Sequence, residues 1–269
     1  DNRGFNLPAV PAYEGDGMKK GNNVTSDAAI RKAINIGIDR EEMITNVLNG
    51  YGTPAYSVCD KLPWYNEAAQ IEYDPEKAKE ILEEAGWKES KDGIREKDGV
   101  KAEFTLLFSH DDSVRQALAE DTANQLKEIG IAVETESVGW DTAYDRAQAD
   151  ALVWGWGAHT PMEVYNIYHT APGERSAQYS PYANAAVDTY MEEALKADTL
   201  EASYELWKQA QWDGTTGVVQ AGDIPWIWLC NVEHLYFVRD GLQVTEQKIH
   251  PHGHGWSIVN NVDKWEWNE

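Results

Sequence analysis

Residues 103–138 read EFTLLFSHDDSVRQALAEDTANQLKEIGIAVETESV, and their pattern decides the fold. Glu103–Ser109 is rich in β-formers and bounded by polar residues, which predicts a strand. A helix follows over about 112–128 and is closed by Gly130. Residues 131–138 return to strand composition. A short helix after Asp141 leads to residues 151–154 (ALVW), a third apolar strand. Strand–helix–strand–helix–strand is the order of an α/β layer with crossover connections.

The flanks extend this reading. Over residues 26–38 (SDAAIRKAINIGI), Ile30, Ala33, Ile34 and Ile38 share one helical stripe. Asp39-Arg40-Glu41-Glu42 then has the form of a capping box: Asp39 accepts from free amides and Glu42 reaches back. That helix is expected to end near Gly50. Asp74-Pro75-Glu76-Lys77 pairs a cap residue with proline at the first helical position, and Gly86 stops the turn run. C-terminal to the central pattern, helices are predicted over about 184–196 and 200–213. Residues 225–238 are apolar and aromatic and read as strands closing a sheet. No internal repeat or low-complexity tract interrupts the chain.

With 269 residues and 42% hydrophobic content, the chain can build one large domain or two modest ones. Asp and Glu outnumber Lys and Arg by 46 to 23, for a formal charge of −23. Such a field repels phosphate backbones and anionic lipid, so no nucleic-acid partner is expected. It fits a solvated acidic surface, and it would also concentrate cationic ligands. No run of about 18 apolar residues is present to span a membrane. Asp1-Asn2-Arg3-Gly4-Phe5 has no signal-peptide pattern, so either a leader has been removed or the chain starts within a longer protein. Cys59 and Cys230 show no metal spacing; they can pair in one long-range disulfide or stay as two buried thiols.

Four stretches carry a family resemblance. Ala29-Ile30-Arg31-Lys32-Ala33-Ile34 with Ile38-Asp39-Arg40-Glu41-Glu42-Met43-Ile44 is the first, and Asn49-Gly50-Tyr51-Gly52-Thr53-Pro54-Ala55 the second. Tyr73-Asp74-Pro75-Glu76-Lys77-Ala78 with Leu82 and Ala85-Gly86-Trp87 is the third. Leu126-Lys127-Glu128-Ile129-Gly130-Ile131 with Val133 and Trp140 is the fourth. In order and spacing these resemble family 5 of the ABC-transporter extracellular solute-binding proteins, the dipeptide/oligopeptide/nickel class, over its C-terminal half only. The resemblance implies one lobe of a two-lobed, periplasmic-binding-protein-like (type II) clamp: an α/β mixed sheet flanked by helices. It divides the chain into a hinge-side segment over 1–24, the C-terminal ligand-binding lobe over 25–235, and a segment over 236–269 that recrosses the hinge to an absent first lobe. It implies an extracytoplasmic location, in the periplasm or as a lipoprotein on the outer face of the membrane. It also implies an ABC permease as partner, together with the missing N-terminal lobe of the chain's own longer protein.

Residues 151–168 (ALVWGWGAHTPMEVYNIY) are the most informative for function. Ligands of α/β folds sit beyond the carboxyl ends of strands, and a strand ends here in Gly155-Trp156-Gly157. The resemblance implies that this loop touches the ligand. Peptide-binding members usually carry an aspartate there for the peptide's α-amino group, whereas this chain has His159, Thr160, Pro161, Met162 and Glu163, so Glu163 is the substitute carboxylate. The candidate ligand-binding residues are Trp154, Trp156, Gly157, His159, Thr160, Glu163 and Tyr165, with Tyr179 bordering the cleft. Trp156 can equally serve in core packing. Tyr179-Ser180-Pro181-Tyr182 also suits a turn before a helix, and the Trp226/Trp228 and Trp265/Trp267 pairs suit half-buried sheet faces.

His250, His252 and His254 could share one face of an extended segment, but the intervening Pro251 and Gly253 scatter them and no carboxylate pair or cysteine completes a shell. No metal held jointly by them and no cofactor is expected. The chain lacks a Gly-x-Ser-x-Gly elbow, a phosphate-cradling glycine loop and a His-Glu-x-x-His pair, so no catalytic residue is assigned. The expected function is reversible capture of a small solute and delivery to a permease, with a peptide first and nickel or a nickel chelate second. A carbohydrate-active enzyme is the reading from another class.

Overall fold

The computed structural model describes residues 1–157, 160–170, 179–246, 258–259 and 261–268. Six strands form the main sheet: β1 (Asn2–Asn6), β2 (Gly52–Pro54), β3 (Glu103–Ser109), β4 (Ala132–Val138), β5 (Ala151–Trp156) and β6 (Trp226–Val232). Their spatial order is β2-β6-β1-β5-β3-β4. β5, β3 and β4 run parallel. β1 is antiparallel to both β5 and β6, and β6 is antiparallel to β2. Eight helices flank it among the described residues: α1 (Ala28–Ile36), α2 (Arg40–Leu48), α3 (Pro75–Glu84), α4 (Ser113–Lys127), α5 (Trp140–Arg146), α6 (Met162–Tyr168), α7 (Ala185–Ala194) and α8 (Leu200–Gln211). This is the α/β layer that the pattern of residues 103–138 predicts, in the form of the mixed sheet flanked by helices that the resemblance implies.

Alternation along the strands sorts the core into two layers. Ile227 and Leu229 of β6 and Ala151 and Val153 of β5 join Phe5, Ile30, Ile34, Leu82 and Leu126 on the side of α1–α4. Trp226 and Trp228, with Leu152 and Trp154, join Ala143, Val164, Met191 and Trp207 on the side of α5–α8. A strand buried on both faces reads as an unbroken apolar run, which is why residues 151–154 and 226–230 show no polar alternation.

The caps match the sequence signals with one change. The Asp39 side chain accepts from the Glu42 amide at 2.9 Å, as a capping box requires. The reciprocal bond does not come from Glu42, however. Gln125 on α4 accepts from the Asp39 amide at 2.6 Å and so pins the start of α2 to α4. Asp74 caps α3 through the Lys77 amide at 2.8 Å. Gly86 and Gly130 take the left-handed φ values, +90° and +85°, that end the helices before them.

Residues 1–24 do more than lead into the lobe, because β1 lies in the middle of the sheet. Gly4 permits this: a Cβ there would lie 2.5 Å from the Ile227 carbonyl oxygen and 2.9 Å from the Trp228 ring. Asn6, fully buried, closes the strand. Its Nδ2 donates to the carbonyls of Ala147 and Asp150, and its Oδ1 accepts from the Leu152 amide and the Trp154 indole. At the other end of the chain, strand structure stops at Val232 rather than continuing to residue 238. Residues 233–241 are exposed, Phe237 completely so. Two further short strands, Leu242–Gln243 and Glu266–Trp267, pair with each other. Cys59 and Cys230 are both free and buried, and burial pushes each thiol up to about 12.

Candidate functional site

The carboxyl ends of β3, β5 and β6 and the amino ends of β1 and β2 meet along one rim of the sheet, as the pairings Asn2 to Trp156, Asn2 to Asn231 and Gly52 to Val232 require. Trp156 is the last residue of β5 and is half-buried. Its indole Nε1 donates to Glu163 Oε2 at 3.1 Å, closing the turn between β5 and α6. Tyr179 meets the edges of Trp156 and Trp154, with ring centroids 4.6 and 5.2 Å apart. Beneath them Trp154 packs near Trp226 at 6.0 Å, and Trp226 stacks on Trp228 at 5.4 Å. The result is a ladder of aromatic rings running from the interior to the rim.

The predicted site residues separate along this ladder. Trp156, Gly157, Glu163 and Tyr179 come together at the rim. Trp154 is 3% exposed, and its indole is spent on Asn6, so it supports the wall from behind. Thr160 is exposed, and its Oγ1 accepts from the Met162 amide at 3.2 Å, a turn bond that starts α6. Tyr165 stacks on His169 at 4.2 Å, where Glu192 of α7 accompanies the imidazole at 3.3 Å. Two residues along a helix turn the side chain by roughly 200°, so Tyr165 and Glu163 face different neighbours. His159, His250, His252 and His254 lie outside the described residues. Among the described residues no group of three or more His, Cys, Asp or Glu is placed to hold a metal ion.

Arg3, Arg115, Trp140 and Tyr144 were not among the site residues that the sequence suggested. The Arg115 guanidinium lies 5.0 Å from the Trp140 ring centroid, and Trp140 packs against Tyr144 and Trp154. Arg115 also pairs with Asp112, and Arg3 with Asp1, at 3.0 and 2.8 Å. Arg115 is the third residue of α4, directly after Val114, a position with no periodic meaning, so nothing in the sequence marks it.

A pocket of about 240 Å³ opens on the same rim, lined in part by Asn2, Thr53, Asp60, Asn231 and Glu233. Asp60 accepts from the amides of Tyr56 and Ser57 and from Asn231 Nδ2. Burial outweighs these bonds and raises its carboxyl from 3.8 to about 6. The folded chain therefore holds this proton to higher pH than the unfolded chain does. The stabilisation it gives is complete below pH ~4 and is lost as pH rises through about 6. Relative to Asp60→Asn, the chain should lose about 2 kcal/mol of unfolding free energy between pH 4 and 7. Urea titrations of both proteins across that range check this, and parallel curves would reject it.

The sequence and the fold are similar to those of known proteins. Residues 8–178 match the family of bacterial extracellular solute-binding proteins, family 5, in its middle region. The chain belongs to family 5 of the bacterial extracellular solute-binding proteins. It is 35% identical over 188 residues to the oligopeptide-binding protein AppA of Bacillus subtilis, covering 66% of this chain and 35% of that protein. The structure of AppA from Bacillus subtilis in complex with a nonapeptide aligns with a TM-score of 0.72 at 26% identity, over 100% of this chain and 51% of the other. The structure of NikZ from Campylobacter jejuni in complex with Ni(L-His) aligns with a TM-score of 0.78 at 21% identity, over 98% of this chain and 51% of the other, a likeness of fold. The chain thus spans about a third of the curated family 5 relative and half of each solved family 5 chain. Family 5 proteins are extracellular binding proteins and not enzymes, which removes the carbohydrate-active enzyme reading. Among the described residues no helix is long and apolar enough to cross a membrane.

Proposed function

We propose that this family 5 chain is one wall of a clamp that captures a small solute, a peptide first, outside the cytoplasmic membrane for delivery to an ABC permease. The observation that carries the reading is the Trp156–Glu163 hydrogen bond at the carboxyl end of β5, flanked by Tyr179. A half-buried indole offers apolar area to a ligand, and a carboxylate held in place by that indole offers a fixed acceptor for an ammonium group. The nonapeptide in AppA supports a peptide, and the Ni(L-His) in NikZ supports a nickel complex as the second reading. On this reading residues 25–235 are the ligand-binding lobe, and residues 236–269 return across a hinge to a first lobe outside this chain, with a lipid anchor or periplasmic release setting its location. The exposed apolar side chains Leu235, Tyr236 and Phe237 support such a crossing, since a lone lobe would leave its bridging segment uncovered.

The solute that stays with the longer polypeptide through purification should be a peptide, identified by mass spectrometry. A nickel complex there would establish the second reading, and no retained or titratable solute of either kind would reject capture. Against the recovered solute, Trp156→Ala should weaken binding by about 30-fold, near 2 kcal/mol. Glu163→Gln keeps an acceptor for the indole but removes the charge, and it should reduce affinity for a peptide with a free amino terminus far more than for its N-acetyl form. Equal losses for the two forms would remove Glu163 from ammonium recognition.

A further inference from the structure

A second pocket, of about 440 Å³, lies at the end of the sheet opposite the solute rim and is lined in part by Tyr13, Glu14, Lys19, Asn23 and Asp150. Asp150 directly precedes β5, and the 6 residues of that strand, about 20 Å, separate it from the rim end at Trp156. One wall is a hairpin, Tyr13–Gly15 paired with Met18–Lys20. Asp16 and Gly17 between them take φ values of +54° and +75°, the pattern of a two-residue turn that fixes the register. The base of the hairpin is tied to the body. Gly21 N donates to the Gln148 carbonyl at 2.7 Å, and Asn22 Nδ2 donates to the Ala149 carbonyl at 3.1 Å. Only glycine fits at position 21, where φ is +71° and a Cβ would run into the carbonyls of Val10 and Pro11. No residue from 11 to 20 joins either core layer, so the hairpin is held in place without serving the core.

Two of the charged side chains here are already engaged: Lys20 with Asp16 at 2.6 Å, and Asp150 with Arg146 at 2.8 Å. The Glu14 carboxylate and the Lys19 ammonium, opposite each other in the register, have no ion-pair or hydrogen-bond partner among the described residues. Asn23 accepts from the Ala12 amide through Oδ1 at 3.0 Å, which leaves its Nδ2 to donate. The Tyr13 ring lies against the bare Cα of Gly15, where a Cβ would come within 3.0 Å of Cε2, and 49% of the residue stays open to solvent.

The unengaged groups are thus one acceptor, two donors and an aromatic ring, with no net charge. An anion would face Glu14 and the chain's charge of −23, and a cation would face Lys19. An apolar ligand would cover both charges and leave them unpaired. A neutral sugar meets every demand. Each hydroxyl both donates and accepts, so neighbouring hydroxyls can bridge an ammonium and a carboxylate, while the C–H face of the sugar ring packs on an aromatic ring. The volume falls within the range of small-ligand sites, about 300–1,000 Å³. Alternation puts Tyr13 and Glu14 on opposite faces of the hairpin, so the pocket reaches round its edge and suits linked rings better than a single one.

We infer that the hairpin pocket is a second binding site, separate from the solute rim, for a neutral saccharide of two or more linked sugars. Tyr13 is its platform, and Glu14, Lys19 and Asn23 hold the hydroxyls. A saccharide bound there leaves the rim free, so the chain can hold a sugar chain and a captured solute at once. The site does not depend on what the rim captures.

The test follows the backbone amides of residues 12–23 and 149–150 in the ¹⁵N-labelled chain. Cellobiose, maltose and N,N′-diacetylchitobiose are titrated separately against glycerol at equal osmolality. The expected result is a saturable shift confined to these amides, for at least one disaccharide and not for glycerol, with the Trp156 indole resonance unmoved. Tyr13→Leu should weaken the midpoint by at least about tenfold, whereas Tyr13→Phe should stay within about threefold, since the ring and not the hydroxyl is the platform. No saturable shift with any of the three disaccharides, shifts centred on Trp156, or equal midpoints in the two variants would overturn the site. So would saturation of the same amides by alanyl-alanine alone, which would mark a site for charged ends. Sedimentation with the insoluble polymer of the disaccharide that binds separates the two sources of such a sugar. Co-sedimentation that is lost in Tyr13→Leu identifies a glycan chain, and binding of the disaccharide without it identifies a free sugar; either supports the site.

Discussion

Replacing Arg40 by methionine is expected to lower the stability of the chain by about 3–5 kcal/mol, the range seen when a buried charged hub loses its pairing. Arg40 is 5% exposed and has no carboxylate in hydrogen-bond contact. Its Nε donates to the carbonyls of Ala55 and Trp228, at 3.1 and 2.8 Å. Nη1 donates to the carbonyls of Asn35 and Ile38, and Nη2 to Asn35 Oδ1 at 2.7 Å. One side chain therefore ties the end of α1, the start of α2, the loop after β2 and the strand β6. Burial lowers the guanidinium to about 10, still charged at neutral pH. Methionine fills similar volume but leaves these acceptors without a donor, each a desolvated group costing about 1–3 kcal/mol. Arg40→Lys should recover only part of the loss, since three donors on one nitrogen cannot reach carbonyls on four segments. Equilibrium unfolding in urea measures both; a loss under ~1 kcal/mol for the methionine variant would mean that other donors take over the carbonyls.

Asn6→Leu is expected to cost a similar amount, about 3–4 kcal/mol, for a related reason. Leucine matches the shape of asparagine while removing four hydrogen bonds: two donated to the Ala147 and Asp150 carbonyls, and two accepted from the Leu152 amide and the Trp154 indole. The effect should also be spatially directed. With its indole unanchored, Trp154 can tilt, and Tyr179, which meets its edge and in turn that of Trp156, loses its fixed contact. Near-ultraviolet circular dichroism should therefore change more than far-ultraviolet. Asn6→Asp keeps the acceptor but not the donors, and its loss should be smaller above the carboxyl's pKa only if the indole bond dominates. A leucine variant with unchanged stability would show that Asn6 is dispensable to the junction of β1 and β5.

Much of the architecture was legible because it is written in local signals. Asp39, Asp74 and Gly130 mark helix ends by chemistry that acts within one turn, and the crossover pattern of residues 103–138 needs only short-range periodicity. Two strands, β1 and β2, escaped for the same reason in reverse. Asn2–Asn6 contains a glycine and two asparagines, all poor strand formers, and its pairing is dictated by Ile227 and Trp228 far along the chain. The Glu42 half of the capping box failed because Gln125, a residue of another helix, competes for the same amide.

At the site, the loop after β5 was legible because a strand end followed by Gly-Trp-Gly places it at the rim whatever the rest does. Which of its side chains face outward was not legible. Trp154 and Trp156 share one face of β5 and look alike in the sequence, and only their depth along the strand and the Asn6 bond separate the supporting ring from the half-buried one at the rim. Arg3 and Arg115, which meet over the bare Cα of Gly155, left no trace, since that meeting depends on strand order.

The central position of β1 has a consequence for how the chain reaches this state. Residue 2 pairs with residue 231, so β1 is made long before one of its two partner strands. Until Trp226–Val232 has emerged, β1 can satisfy only the edge it shares with β5, and its other edge stays open. Loop closure over so long a span is slow, and an unpaired edge recruits foreign strands in the meantime. A chain cut short before residue 226 should therefore fail by aggregation, while one ending just past Val232 should fold. Nascent chains of increasing length would show protease resistance arriving abruptly, with the last strand of the sheet.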